Sequence, residues 1–97
     1  MANVYCVSYD LKGDAGDYTG LYDVLKSSKH WWHYLESTWL VAVTDSPEEL
    51  RRKLAPHKRK GDRMLIIGVT GDSDGWLPEE AWDWIKRNVD SLETRTV

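Results

Sequence analysis

The chain has little cysteine and no long apolar run. Its 97 residues include one cysteine, Cys6, and no phenylalanine. A single cysteine excludes a disulfide within the chain, which is typical of proteins from a reducing compartment. Met1, Ala2 and Asn3 lead directly into the first predicted strand, so we expect neither a signal peptide nor a membrane-spanning segment. These absences favour a cytoplasmic protein without a membrane partner.

An excess of charge of one sign is also absent, since the formal net charge is −3. Such a balance does not indicate a chain that binds nucleic acid over its whole surface. The length predicts a single domain, 1–97. Aromatic rings are abundant, with six Trp and five Tyr. A domain of this size buries about 60–65% of the surface of its unfolded chain, so we expect some of these rings to face a second subunit or a ligand.

The segment Asn3–Lys12 is predicted to form the first strand, because β-branched, aromatic and aliphatic side chains dominate it. Successive side chains of a strand point to opposite faces of the sheet. Both faces of this segment are largely apolar until Asp10, which predicts a central strand. A turn-rich loop follows and adds Asp14 and Asp17, so three carboxylates lie close together in sequence.

Local patterns predict the other elements. Strand-like composition marks residues 31–36, 38–44 and 62–70, and helical patterns mark residues 20–28, 47–55 and 78–87. The second helix has the clearest start, because Ser46 and Glu49 form a capping box with Pro47 in the first turn. Asp17 or Thr19 is expected to cap the first helix.

This order of elements predicts an α+β fold, namely a ferredoxin-like βαββαβ sandwich with an appended C-terminal helix. The two main helices of that fold cover one face of the sheet. We expect the other face, which carries Val4 and Cys6, to be covered by a second copy in a homodimer. The segment Asp90–Val97 has no clear pattern, and is expected to fray or to pair with the partner's sheet edge.

Seven cations lie within residues 51–63 and form the one strongly basic stretch of the sequence. They are Arg51, Arg52, Lys53, Lys58, Arg59, Lys60 and Arg63. Such density in an acidic chain predicts contact with the phosphates of RNA, DNA or a nucleotide. A solvated helix face followed by a charged loop is the alternative interpretation.

An aromatic cluster surrounds the second and third strands. Trp31, Trp32 and Trp39 would stack on nucleic-acid bases if they lay on an open sheet face, and would otherwise be core or dimer contacts. His33 is a candidate general base or phosphate ligand, with a purely structural role as the alternative.

Asp10 is the candidate catalytic residue and metal ligand. A carboxylate at the end of a central strand, close to two further acids, could hold Mg²⁺ together with water molecules. Two such carboxylates across a dimer axis could activate water for attack on a phosphodiester. The alternative is that Asp10 accepts hydrogen bonds from loop amides and stabilises the turn.

Three segments of the sequence resemble the small CRISPR-adaptation nuclease family, which includes the virulence-associated protein D ribonucleases as relatives. They are Tyr9–Leu11 at the end of the first strand, Ser37–Leu40 between the second and third strands, and Asp62-Arg63 before the fourth. The resemblance implies a ferredoxin-like dimer in which Asp10 binds a divalent metal between two subunits.

A closer resemblance is to the SinR-like group of short bacterial and phage proteins, which is distinct from the biofilm repressor of that name. The shared motifs stand here at Tyr9–Leu11, Asp17–Tyr22, Trp31–Leu40 and Trp76–Pro78. This resemblance covers residues 3–85 and implies no settled activity.

Three functions therefore stay open from the sequence. The favoured one is a dimeric protein that binds nucleic acid or a nucleotide, because one plausible catalytic acid stands out and no paired base accompanies it. The second is a Mg²⁺-dependent endoribonuclease or phosphodiesterase with Asp10 as metal ligand. The third is a non-enzymatic protein-interaction module in defence or stress regulation.

Overall fold

The structure is a computed structural model that describes residues 3–89. Four strands, β1 (Asn3–Asp10), β2 (His30–Leu35), β3 (Thr38–Val43) and β4 (Arg63–Gly68), form an antiparallel sheet in the order β2-β3-β1-β4. The helices are α1 (Thr19–Lys26), α2 (Pro47–Leu54) and α3 (Glu79–Asn88). This element order and strand order confirm the predicted ferredoxin-like α+β fold. No helix in this part of the chain is both long and apolar enough to cross a membrane.

The central position predicted for β1 is confirmed. Val7 of β1 lies opposite Trp39 of β3 on one side and opposite Ile66 of β4 on the other. Its side chain is completely buried. The first strand is therefore covered on both edges and on the face that carries Val7.

The first hydrophobic core lies between the sheet and the helices α1 and α2. Leu21 and Leu25 of α1 and Leu50 and Leu54 of α2 pack in it against Val7. The start of α2 follows the predicted capping box: Ser46 Oγ accepts a hydrogen bond of 3.1 Å from Glu49 N, and Glu49 Oε1 accepts one of 2.7 Å from Ser46 N.

The predicted cap of α1 is wrong. A short 3₁₀ turn, Ala15–Tyr18, runs directly into α1, and no side chain caps the helix. The carboxylate of Asp17 instead accepts a hydrogen bond of 3.2 Å from Asp14 N, within the preceding turn. Asp17 therefore stabilises the turn before the helix and not the helix itself.

The second face of the sheet is partly covered by α3 of the same chain, so the expectation of a fully open face is wrong. Ala81, Trp84 and Ile85 of α3 pack against Val4 and Leu40 in a second core. The three α3 residues recur at the spacing of one helix face, but helix periodicity alone does not reveal where a helix docks.

The uncovered part of this face lies mainly on β4. Leu65 and Ile67 are 57% and 52% exposed, and Ile67 lies opposite the half-buried Cys6 of β1. The surface available for a second copy is therefore smaller than predicted and is centred on β4. The segment Asp90–Val97 lies outside the described residues, and its expected pairing with a partner stays a prediction.

Candidate functional site

A buried carboxylate joins the loop that follows β1 to the loop that precedes β4. Asp62 Oδ1 accepts a hydrogen bond of 2.8 Å from Lys12 N, and Asp62 Oδ2 accepts one of 2.8 Å from Arg59 N. Beside it, the hydroxyl of Tyr18 accepts a hydrogen bond of 2.9 Å from Gly13 N. Asp62 therefore accepts the hydrogen bonds from loop amides that the sequence offers as the alternative role of Asp10.

Asp62 is the important residue that the sequence interpretation misses. The sequence pattern places it at the start of an apolar strand, although β4 begins one residue later. The available signal is Gly61, which has a φ of +89° and so favours glycine. An acid between a glycine turn and an apolar strand is well placed to accept hydrogen bonds from loop amides.

The environment of Asp62 keeps its side chain ionised. Burial acts to raise the pKa of this carboxyl, but hydrogen bonds from the amides of Lys12 and Arg59 and from the Tyr18 hydroxyl outweigh it, and the charge of Lys58 acts in the same direction. The net result is a pKa below the usual aspartate value. Burial of the Tyr18 phenol, together with the neighbouring carboxylate, raises the pKa of Tyr18.

The three predicted carboxylates of the first loop do not converge on one point. The Asp10 side chain is 67% exposed, with its Oδ2 atom 3.2 Å from Lys12 Nζ. Asp17 Oδ2 lies 2.7 Å from Arg59 Nη1, and the backbone of Asp14 bonds to Asp17. Over residues 3–89, no group of three His, Cys, Asp or Glu side chains is arranged to hold a metal ion. The three carboxylates of the first loop therefore do not form one ligand set, and Asp10 as a magnesium ligand stays a prediction.

The basic stretch divides into paired and unpaired cations. Arg52 pairs with Glu48 at 2.7 Å, Lys53 pairs with Asp45 at 2.8 Å, and Arg59 pairs with Asp17. Among the described residues, the remaining four make no ion pair, and they are called here the unpaired cations: Arg51, Lys58, Lys60 and Arg63. No direct ion pair within the described residues therefore competes with an external anion for these four side chains.

A cleft of about 580 Å³, the α2–β4 cleft, opens between α2 and the edge strand β4. Leu54, which is buried, and Met64 and Ile66, which are half-buried, form its interior. Arg51 and Lys58 also line it, but their side chains are exposed and so mark its rim. The cleft combines an apolar interior with two of the unpaired cations and with two carboxylates, those of Glu48 and Asp62.

Two of the three predicted stacking residues are core residues. Trp39 is 2% exposed, and its Nε1–H donates a hydrogen bond of 3.0 Å to the Tyr9 hydroxyl. Trp32 is 5% exposed and packs in the second core beneath α3. Trp31 is 39% exposed, with Lys26 Nζ 6.0 Å from its ring centroid. Of the three, Trp31 is the one whose ring is substantially accessible to an external base.

His33 makes contacts typical of a structural residue. Its ring stacks on Trp39 with centroids 4.1 Å apart and an interplanar angle of 16°. Its Nε2 atom lies 2.9 Å from the carbonyl oxygen of Glu36, within donating distance. These contacts hold the turn between β2 and β3, and in the described part of the chain His33 forms no ion pair with a carboxylate.

The comparisons with known proteins give a structural neighbour without an assigned function. No protein-family model matches the chain, and no curated protein matches it. Among solved structures, the chain is similar to the crystal structure of a hypothetical protein, TT1823, from Thermus thermophilus. The sequences are 26% identical, the TM-score is 0.60, and the match covers 80% of this chain and 96% of that one. The likeness supports the fold assignment.

Proposed function

We propose that the protein is a homodimeric, cytoplasmic protein that binds nucleic acid or a nucleotide through the unpaired cations. The observation that carries this proposal is the division of the basic stretch. Arg52, Lys53 and Arg59 each form an ion pair with a neighbouring carboxylate. The four cations that make no ion pair within residues 3–89 all belong to α2, to the start of β4 or to the segment between them, in a chain whose net charge is −3.

The loop that carries two of the four unpaired cations is anchored, which favours binding. Lys58 and Lys60 flank Arg59, whose backbone N–H is held by Asp62. Arg63 is the first residue of β4. Groups that are ordered before binding lose less conformational entropy when they bind a ligand. Phosphate contacts from such a loop release counterions and make the affinity strongly dependent on salt.

The exposed apolar surface on β4 supports the proposed homodimer. Leu65 and Ile67 lie side by side on one face of an edge strand, and Trp76 nearby in sequence is almost fully exposed. Stable interfaces bury about 1,200–2,000 Å² in total, so the proposed interface would have to extend beyond Leu65 and Ile67 to neighbouring exposed rings such as Trp76. Light scattering should give twice the mass of one chain, and Ile67→Lys should shift the protein towards the monomer.

Fluorescence anisotropy with labelled RNA and DNA of one sequence tests the binding proposal. We expect affinity for at least one of them at low salt, with a steep decrease as salt is added. An absence of binding to both at low salt would contradict the proposal. Incubation of the same samples with Mg²⁺ or Mn²⁺ tests for cleavage of the nucleic acid. Cleavage by the wild type that is abolished in Asp10→Ala would instead support the alternative function, a metal-dependent endoribonuclease.

A further inference from the structure

We infer that the α2–β4 cleft receives one unpaired base, so that the protein selects single-stranded nucleic acid over duplex. This inference rests on the proposed function and adds the class of nucleic acid to it. It starts from the contrast between the interior of the cleft and its rim.

The interior of the cleft suits a base and does not suit a phosphate. Its volume of about 580 Å³ lies within the range of sites that hold small organic ligands. Leu54, Met64 and Ile66 offer no hydrogen bond to an anion, and moving a phosphate onto them would remove its hydration without replacement. The flat face of a base carries little charge and loses far less on the same transfer.

The rim of the cleft suits the phosphate that is attached to such a base. Arg51 comes from α2, and Lys58 follows the short turn Ala55–His57 after it. Both are exposed, and neither makes an ion pair among residues 3–89. The lining also includes Glu48, which pairs with Arg52, and Asp62, whose two oxygens accept hydrogen bonds from backbone N–H groups. The planar fork of an arginine binds two phosphate oxygens at once, while a lysine adds a point charge. A phosphate bound here places its nucleoside next to the apolar interior.

A duplex presents the same phosphates without the base. Its bases are paired and stacked, and an enzyme or binding protein reaches their faces only by unstacking them. A duplex would therefore keep the electrostatic interaction with the rim, while its bases stay outside the cleft. The difference between the affinity for a single strand and the affinity for a duplex therefore measures the contribution of the cleft.

Anisotropy titrations with three labelled ligands of equal phosphate count test this inference: a single strand, a duplex of half its length, and an abasic strand with the same backbone as the single strand. We expect the single strand to bind about tenfold more tightly than the abasic strand, because contact with Leu54, Met64 and Ile66 removes one apolar face of the base from water. Equal binding of all three ligands would overturn the inference and leave the proposed function standing. Binding of none of them would overturn both.

A variant that fills the cleft provides a second test. Ala55 lines the cleft but is exposed, so Ala55→Trp should fold and occupy the space of the base. It should abolish the preference for the single strand over the abasic strand while leaving binding of the abasic strand unchanged. Ala55→Ser, which leaves the cleft open, is the matched control. A preference for the single strand over the abasic strand that survives in Ala55→Trp would overturn the inference. A competition experiment in which an acidic peptide displaces the labelled single strand as readily as unlabelled RNA does would also overturn it.

Discussion

The carboxylate of Asp62 accepts a hydrogen bond of 2.8 Å from the backbone N–H of Lys12, which lies 50 positions earlier in the chain. The other oxygen of the same carboxylate accepts a hydrogen bond from Arg59 N at the same distance. One buried charge therefore holds both the loop that carries Asp14 and Asp17 and the loop that carries two of the four unpaired cations, Lys58 and Lys60. The stability of the fold and the geometry of the candidate site depend on the same side chain.

Asp62→Asn should lower the free energy of unfolding at neutral pH, because an amide nitrogen would face one of the two N–H donors.

The wild type should also lose stability in acid. The pKa of Asp62 is lower in the folded state than in the unfolded state. As the pH falls, the unfolded state therefore binds a proton before the folded state does, which favours unfolding. The stabilisation by the ionised Asp62 side chain is complete above the ordinary aspartate pKa and is lost as the pH falls through the folded-state pKa. Urea unfolding from neutral to acidic pH should show this decrease in the wild type and a weaker one in the variant. Asp72→Asn, at an exposed loop position, should behave like the wild type.

Replacing unpaired and paired cations should have different effects on nucleic-acid binding. Arg51→Gln with Lys58→Gln removes two unpaired cations, and should reduce the slope of log affinity against log salt by up to about 0.9 for each phosphate that is no longer neutralised. Arg52→Gln with Lys53→Gln removes the same charge from ion pairs with Glu48 and Asp45. This control should change the slope less, and identical slopes for the two double variants would contradict the assignment.

Asp10→Ala should strengthen nucleic-acid binding in the absence of divalent metal. Asp10 pairs with Lys12 and lies opposite Arg63 in the sheet, so its removal frees Lys12 from its ion pair and takes a negative charge away from the neighbourhood of Arg63. An exposed unit charge at this distance contributes about 1 kcal/mol in water, which corresponds to about a twofold to fivefold gain in affinity. Anisotropy titrations in EDTA measure the effect. If Asp10 acts as a metal ligand, added Mg²⁺ will strengthen binding by the wild type and not by the variant.

Alanine variants of Trp31 and Trp39 should distinguish a residue that binds nucleic acid from a residue that stabilises the fold. Trp39→Ala should lower the free energy of unfolding by about 3–5 kcal/mol, as is typical of a large aromatic residue removed from a core. Trp31→Ala should cost about 1 kcal/mol or less, since its ring is partly in solvent. If Trp31 stacks on a base, Trp31→Ala will weaken binding of a single strand without weakening binding of the duplex. Equal decreases of stability in the two variants would contradict the structural assignment.

Sequence reasoning succeeds where the signal is local. The capping box at Ser46 and Glu49 and the two apolar faces of β1 predict their elements because neighbouring residues determine them. It fails for the docking of α3 and for the role of Asp62, because both depend on interactions between distant parts of the chain. It also places Trp32 and Trp39 together as a stacking surface. The two rings lie on opposite faces of the sheet, and composition does not reveal which face another element covers.

The separation of Trp32 and Trp39 into different cores gives each face of the sheet its own optical reporter. Trp39 lies in the core beneath α1 and α2, Trp32 lies beneath α3, and Trp76 is almost fully in water. Indole emission responds to the polarity of its surroundings, so variants that retain one tryptophan each would follow the melting of the two faces independently. Coincident transitions would indicate that the two layers unfold as one cooperative unit, whereas an early transition at Trp32 would show that α3 detaches from a sheet that is still folded.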